Sequence, residues 1–256
     1  GIGLGVVGVF DERIYAAREF KKADDRPGNY KATGGHGGIL GSAGPPVVIW
    51  YKPAYKRAST SDVNISKIPQ EVEFVDAAGD SSSIRVRVKN IDGTLQENTI
   101  PRVHIIKYGA YMDEDETNNP DHEVDILARI QKGLEEENRA TSQTPFHGFV
   151  MEGTNPYGMG SGSQHAALAI AACSGMPVVR VGRADPGGMV PVGRGRPDLC
   201  IAGTNLDTNK ARLLLIASML KFGRLPKAKD PKNPTVIERE AINAKLSQFQ
   251  EVFYSH

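Results

Sequence analysis

The chain has 256 residues, 39% hydrophobic and 24% charged, an ordinary balance for a globular fold with room for one large domain or two small ones. Against 31 Lys and Arg stand 30 Asp and Glu, so no global field favours nucleic acid or an anionic membrane surface. The apolar run 213–220 is too short, and too closely flanked by Arg and Lys, to span a bilayer.

Residues 1–57 form a first segment. It has neither an initiator Met nor a basic leader and runs straight into the apolar stretch 5–10. It therefore reads as a processed, nicked or truncated piece of a longer polypeptide rather than as a signal peptide. The stretch 5–10 ends at Asp11-Glu12 and suits a buried parallel strand. Residues 47–51, Val-Val-Ile-Trp-Tyr, predict a second strand. Between them, Arg26-Pro27-Gly28-Asn29 and the glycines around His36 predict flexible or closely packed backbone rather than helix.

Residues 58–100 read as a linker carrying a strand or small hairpin. Residues 59–66 are polar. Ile84, Val86 and Val88 alternate with Arg85, Arg87 and Lys89, the pattern of a half-exposed strand, and Asp92-Gly93 follows as a turn.

Residues 101–225 alternate strand and helix. Strands are expected at 103–108, 148–152, 177–181 and 199–202. Val124, Leu127, Ile130 and Leu134 give helical spacing over 121–136, with Asp121 as N-cap. Residues 163–173 are Ala-rich and apolar nearly all round, hence a buried helix. Asp207 or Thr208 caps a helix at 210–220. This order implies a parallel, doubly wound sheet, whose ligands sit beyond the strand C-termini. The tail 226–256 is Lys- and Pro-rich, then helical from about Val236.

Several groups invite chemistry. Cys173 and Cys200 lie in apolar runs and read as buried small hydrophobes rather than a bridge. Neither reports the compartment, so a soluble cytoplasmic or secreted location stays open. The histidines show no metal-ligand spacing, and no cofactor is implied. Gly158-Met159-Gly160-Ser161-Gly162 stands between a strand and a helix, where N–H groups can hold an anion. No Gly-Lys-Ser/Thr follows it and it is no Gly-x-Ser-x-Gly elbow, so a nucleotide-binding module is a weaker reading. Asp113-Glu114-Asp115-Glu116 reads as a solvated acidic loop at a strand end. Arg180 and Arg183 flank another strand end. Arg183 can meet a carboxylate, although a structural ion pair is the plainer reading.

Three stretches together carry a resemblance. Residues 148–155, Gly-Phe-Val-Met-Glu-Gly-Thr-Asn, lead through a Gly/Asn-rich loop and the Ala-rich helix to Met-Pro-Val-Val-Arg-Val-Gly-Arg at 176–183. Residues 199–215 read Leu-Cys-Ile-Ala-Gly-Thr-Asn-Leu-Asp-Thr-Asn-Lys-Ala-Arg-Leu-Leu-Leu. Residues 5–22 read Gly-Val-Val-Gly-Val-Phe-Asp-Glu-Arg-Ile-Tyr-Ala-Ala-Arg-Glu-Phe-Lys-Lys. They resemble, in turn, the passage to "VVRSSR", the closing "ASGTLNPQKARVLL" and the large-domain ending "GVLVVMNDTVLDGRDVTK" of the bacterial-type L-asparaginase/glutaminase family, which uses a threonine nucleophile.

The resemblance implies an α/β fold. Residues 1–57 would end a large flavodoxin-like parallel-sheet domain, 58–100 would be the linker, 101–225 a smaller doubly wound parallel domain, and 226–256 a helical tail. It also implies hydrolysis of a side-chain amide, of asparagine or possibly glutamine or a related amide, to the acid and ammonia. The ungapped third match puts Lys22 on the family's catalytic lysine. A hydroxyl nucleophile needs a neighbour that takes its proton, and a lysine can do so only if burial or positive charge lowers its pKa. Arg18 and Lys21 nearby are compatible with that, although a solvated loop lysine is the plain alternative for Lys22.

The departures from the family bear on function. No Gly-Gly-Thr-Ile and no Gly-Thr-Asp-Thr segment occurs in the chain. The nucleophile is therefore expected on an N-terminal asparaginase-like segment or partner chain. Otherwise the protein is a non-catalytic binding or regulatory subunit. Tyr111 stands where many members place an asparagine that reaches a neighbouring subunit's substrate, and Gly187–Gly193 occupies the second such region. A homo-oligomer acting on a small amide is what the resemblance implies, with no nucleic acid or membrane partner.

Overall fold

The computed structural model describes residues 3–32, 38–53, 61–75, 77, 83–108, 118–139, 146–154, 157–183 and 199–256. The N-terminal part is antiparallel. β1 (Val7–Phe10) pairs with β2 (Arg13–Ala16) through a tight turn in which Asp11 and Glu12 both have positive φ, as a two-residue hairpin requires. β3 (Phe20–Lys22) and β4 (Tyr30–Ala32) form a separate hairpin. β5 (Ile39–Ser42) then pairs with β2, and β6 (Val48–Ile49) adds at its other side, giving the order β1-β2-β5-β6.

This arrangement corrects the reading of residues 5–10 as a buried parallel strand. β1 is half exposed and antiparallel, because Asp11-Glu12 is the reversal of a hairpin and not the exit from a buried sheet. The buried apolar cluster here is small. It comprises Ile14, Ala16 and Leu40, with Val7 and Ala43 against it. Val6, Val47, Trp50 and Tyr51 are exposed.

β7 (Glu71–Val75) and β8 (Ser83–Arg87) form the small hairpin expected in the middle segment. Its alternation does what the sequence predicts. Val72, Phe74 and Val86 are buried, while Arg85 and Arg87 pair with Glu73 and Glu71 in solvent. The buried face joins the main core, with the Phe74 ring edge-on to Phe146 at 5.5 Å.

That core belongs to a four-stranded parallel sheet of order β12-β11-β10-β9, from β9 (Arg102–Lys107), β10 (His147–Gly153), β11 (Val178–Gly182) and β12 (Ile201–Ala202). α1 (Val124–Arg139) links β9 to β10, and α2 (Gly162–Cys173) links β10 to β11. Right-handed crossovers in one direction put both on the same face. α3 (Thr208–Phe222) returns across the sheet, packs on β9, β10 and β11, and donates from Arg212 Nε to the Val103 carbonyl at 3.0 Å. α4 (Val236–Ser255) packs on α3 and β12 through Ile242, Leu246, Phe249 and Phe253, spaced on one helical face. Gln250 covers the β12 edge at Ala202 by accepting from Ala202 N at 2.8 Å and donating to Ala202 O at 3.1 Å.

The chain is thus mixed α/β with a doubly wound parallel sheet, as its alternation predicts. One cap differs. Asn119, not Asp121, starts the structure before α1, as a 3-10 turn at Pro120–His122, and Asp121 pairs instead with Lys232 at 3.2 Å. Pro120 supplies the fixed φ that suits such a first turn. Among the described residues no helix is long and apolar enough to cross a membrane.

Candidate functional site

Lys22 ends β3 opposite Tyr30. The reversal between them uses Gly28 and Asn29, both at positive φ, and Asp24, which accepts from Arg26 and Asn29. Those hydrogen bonds hold the Asp24 carboxyl far below its usual range. The Lys22 ammonium donates to the Arg26 and Gly28 carbonyls at 2.5 and 2.8 Å and lies 4.5 Å from the Tyr30 ring centroid. Phe20 stacks on Tyr30 at 4.5 Å, Phe10 meets both rings, and Tyr15 reaches Phe20 at 5.5 Å. An aromatic floor therefore carries the hairpin, and the lysine is fastened across its own turn.

Two residues before β3, the chain is bolted to the parallel domain. Arg18 donates from Nε to Asn205 Oδ1 at 2.7 Å, from Nη2 to Phe253 O at 3.1 Å, and also to Thr204 Oγ1 and His256 O. Glu19 accepts from Asn205 Nδ2 at 2.9 Å. Lys210, in the first turn of α3, donates to Arg18 O at 3.0 Å and to Phe20 O. Burial raises the Glu19 carboxyl, opposed by Arg18, Asn205 and Lys210. Burial lowers the Lys210 ammonium, opposed by Asp207 and helped by Lys21 and Arg18. Thr204 is buried and β-branched yet sits at φ +53°, a backbone conformation that costs about 1–3 kcal/mol and persists only where the surroundings fix it. Here they fix it so that its hydroxyl meets Arg18.

The C-terminal rim of the parallel sheet lies next along this path. Thr208, at the start of α3, donates to Glu152 at the end of β10, and Glu152 lies 3.7 Å from Lys107 at the end of β9. Arg183 donates to Tyr108 O at 3.3 Å, a backbone carbonyl, and among the described residues it pairs with no carboxylate. Ser161 and Ser163 at the start of α2 both reach Glu123, at 3.3 and 2.7 Å. The rim thus gathers a lysine, an arginine, two carboxylates and three hydroxyls beyond the strand ends, where doubly wound sheets bind ligands.

The glycine loop 158–162 is less available. Gly158 O takes Arg180, Gly160 N–H goes to His165 Nε2 at 3.0 Å, and Ser161 N–H goes to Gln164 Oε1 at 3.2 Å. These N–H groups are spent on the helix cap, so the loop is a helix start and not an open anion cradle. Tyr111, the acidic stretch 113–116 and Gly187–Gly193 lie outside the described residues. Among the described residues no three His, Cys, Asp or Glu come together as a metal site.

The structure brings Lys22 and the rim into one connected path through Arg18–Phe20 and Lys210. Sequence reading singled out Lys22 from the resemblance and treated Arg18 only as a charge near it. The partners that fasten Arg18 stand 186 and 187 residues away for Thr204 and Asn205, beyond any sequence period. The one signal available was that both ends of the joint fall inside the resembling stretches.

Neither a family model nor a curated protein sequence matches this chain. Among solved structures it resembles the probable cytoplasmic L-asparaginase from Campylobacter jejuni, at 18% identity and a TM-score of 0.58, over 99% of this chain and 56% of that one. The thermostable L-asparaginase from Thermococcus kodakarensis is 13% identical with a TM-score of 0.41, over 97% of this chain and 55% of that one, a likeness too weak to argue from. The chain spans about half the length of these two proteins. At that identity the Campylobacter likeness establishes the fold, which is asparaginase-like.

Proposed function

We propose that this chain is the lysine-bearing half of an amidohydrolase that releases ammonia from a side-chain amide, of asparagine or possibly glutamine or a related compound. The threonine nucleophile lies on further polypeptide, upstream or in a partner chain, and the assembly is oligomeric. The observation that carries this reading is the joint described above. Arg18, Glu19 and Lys210 set the Lys22 hairpin on the same helix start that faces Glu152 at the sheet rim. The exposed apolar residues on and beside β1 and β6 fit this reading too, since added polypeptide has a surface to cover there.

In this reading, Lys22 contributes through its ammonium. The ammonium first gives one proton to solvent, and the free amine nitrogen then takes the proton of an incoming hydroxyl, while the turn carbonyls hold the nitrogen in place by accepting its hydrogen bonds. Tyr111 would lie on the substrate side of the small domain. A second reading rests on one fact. Both near acceptors of Lys22 are backbone carbonyls of its own turn, which suits an ammonium kept for structure. The chain is then a non-catalytic asparaginase-like binding or regulatory subunit.

Ammonia release by the natural full-length polypeptide separates the two readings. The first expects turnover of Asn, Gln or a related amide, and at least a hundredfold loss in Lys22→Met with an unchanged melting temperature. Wild-type turnover by Lys22→Met would remove the role of Lys22. No turnover by any preparation would leave the regulatory subunit.

A further inference from the structure

At the end of the parallel sheet opposite the rim, two buried polar side chains line one small cavity. His147 opens β10 and Ser174 caps α2, at 7% and 2% exposure. The cavity is about 30 Å³, and Glu137, Phe146 and Met176 are among its other walls. The Ser174 N–H is spent on Ile170 O and Ala171 O at 2.8 and 3.0 Å, while its hydroxyl has no hydrogen-bond partner among the described residues. His147 Nε2 faces the Glu136 carboxylate at 3.2 Å, and Nδ1 of the same ring has no hydrogen-bond partner among the described residues. A buried polar atom without a partner costs stability, so such atoms are ordinarily satisfied by protein or by ordered water. Gly133, inside α1, keeps the space beside this ring open. A Cβ there would stand 3.2 Å from His147 Nδ1 and 2.8 Å from Met176 Cε. Glycine weakens a helix interior relative to alanine, so its place here fits a need for that space.

We propose that this cavity binds one ordered water, which donates to His147 Nδ1 and accepts from the Ser174 hydroxyl. The volume suffices, since a water needs roughly 10–15 Å³ of such space and about two to four polar partners. The count of protons agrees. Burial lowers the His147 imidazole against the pull of Glu136, so the ring is neutral and carries one N–H. With a carboxylate facing Nε2, that proton belongs on Nε2, and Nδ1 offers a lone pair. Water supplies an O–H to the lone pair and an oxygen to the Ser174 hydroxyl. Its second O–H is left for the Glu137 carboxylate on the same wall. Arg224 and Lys227 already pair with Glu137, at 3.1 and 2.8 Å, which removes the pull on a cation. An anion would meet that carboxylate and the lone pair, so a neutral occupant fits best. The water fixes the tautomer of His147 and ties the end of α2 to the start of β10.

The test combines a crystal structure of the folded full chain with nuclear magnetic resonance of the same protein carrying isotope-labelled histidines. The expected density is one water within about 2.7–3.2 Å of both His147 Nδ1 and Ser174 Oγ. The expected spectrum shows His147 protonated on Nε2 alone, with cross-relaxation between its Cε1 proton and a water that exchanges slowly with bulk. Folded Ser174→Ala weakens that cross-peak by a factor of about five or more, because a water with fewer partners leaves sooner. Gly133→Ala, whose methyl presses on the ring and on Met176, weakens it as well. A cavity without water density, an ion or buffer molecule in its place, a direct Ser174–His147 hydrogen bond, or a ring protonated on Nδ1 overturns the proposal. So does a folded Ser174→Ala whose cross-peak keeps its wild-type strength. The wild-type density and spectrum decide even if a variant fails to fold.

Discussion

The antiparallel sheet at the N-terminal end and the parallel sheet beyond it are built to different degrees of closure. The parallel sheet has helices on both faces, a side chain capping its β12 edge and a continuous core that reaches into the β7–β8 hairpin. The antiparallel sheet buries only a few apolar side chains and leaves Val47, Trp50 and Tyr51 in solvent. Burial of apolar area is the main favourable term in folding, so the parallel unit stands on its own contacts. The antiparallel unit depends on an aromatic cluster, on Arg18 and Lys210, and, in our proposal, on polypeptide that packs against it.

The largest effect that can break this contrast is a cavity in the main core. Phe249→Ala on α4 should cost about 3–5 kcal/mol and lower the melting temperature of the whole chain. Leu40→Ala in the small cluster should cost less, near the low end of about 2–5 kcal/mol, because the sparse surroundings can collapse. Hydrogen exchange should show its effect confined to β1, β2 and β5. Equal losses would mean that the two units share one cooperative core.

Cutting the joint comes next. Arg18→Met removes charged hydrogen bonds that reach Thr204, Asn205 and α4, each worth about 1.5–3 kcal/mol where buried and less where water competes. The expected outcome is faster exchange in β3 and β4, with the parallel sheet as protected as before. Loss of protection in β10 and β11 would contradict a joint that serves the hairpin alone.

Acid sharpens the comparison from the other side. His104 and His165 are held down to about 4, in both cases first by burial and then by Arg129 and Arg180 respectively, and His147 is lowered by burial despite Glu136. All three lie in the parallel unit, neutral when folded and ready to take a proton on unfolding. The unfolded form binds more protons between pH 6.5 and about 4, so stability is complete above 6.5 and is lost as pH falls through that window. Exchange measured down this range should open β9 and α2 first, and His165→Gln should flatten the response. The smallest effect is expected at Arg87→Ala, whose exposed pair with Glu71 is worth about 0–1 kcal/mol.

Much of the parallel unit was legible because its periodicities are unambiguous. Val178 to Val181 is an unbroken apolar-and-Arg strand, residues 163–173 are apolar around the helix, and Asp207 caps α3 as its side chain suggests. The N-terminal unit was not. Phe20–Lys22 and Tyr30–Ala32 are strands of three residues, too short for any alternation to show, and an apolar run such as 5–10 carries no mark of parallel or antiparallel pairing. The site divides the same way. Lys22 came from resemblance, whereas Arg18, Thr204 and Lys210 meet only once the chain is folded.

The central claim is that the nucleophile lies on polypeptide other than these 256 residues. The most direct test is to quench the natural full-length polypeptide while it turns over a slow amide or ester analogue and to locate the acyl group by peptide mass. The account predicts an acylated threonine outside this sequence, with none found when Lys22 is replaced by Met. An acyl group on Thr154, Thr204 or any other residue of this chain would contradict it.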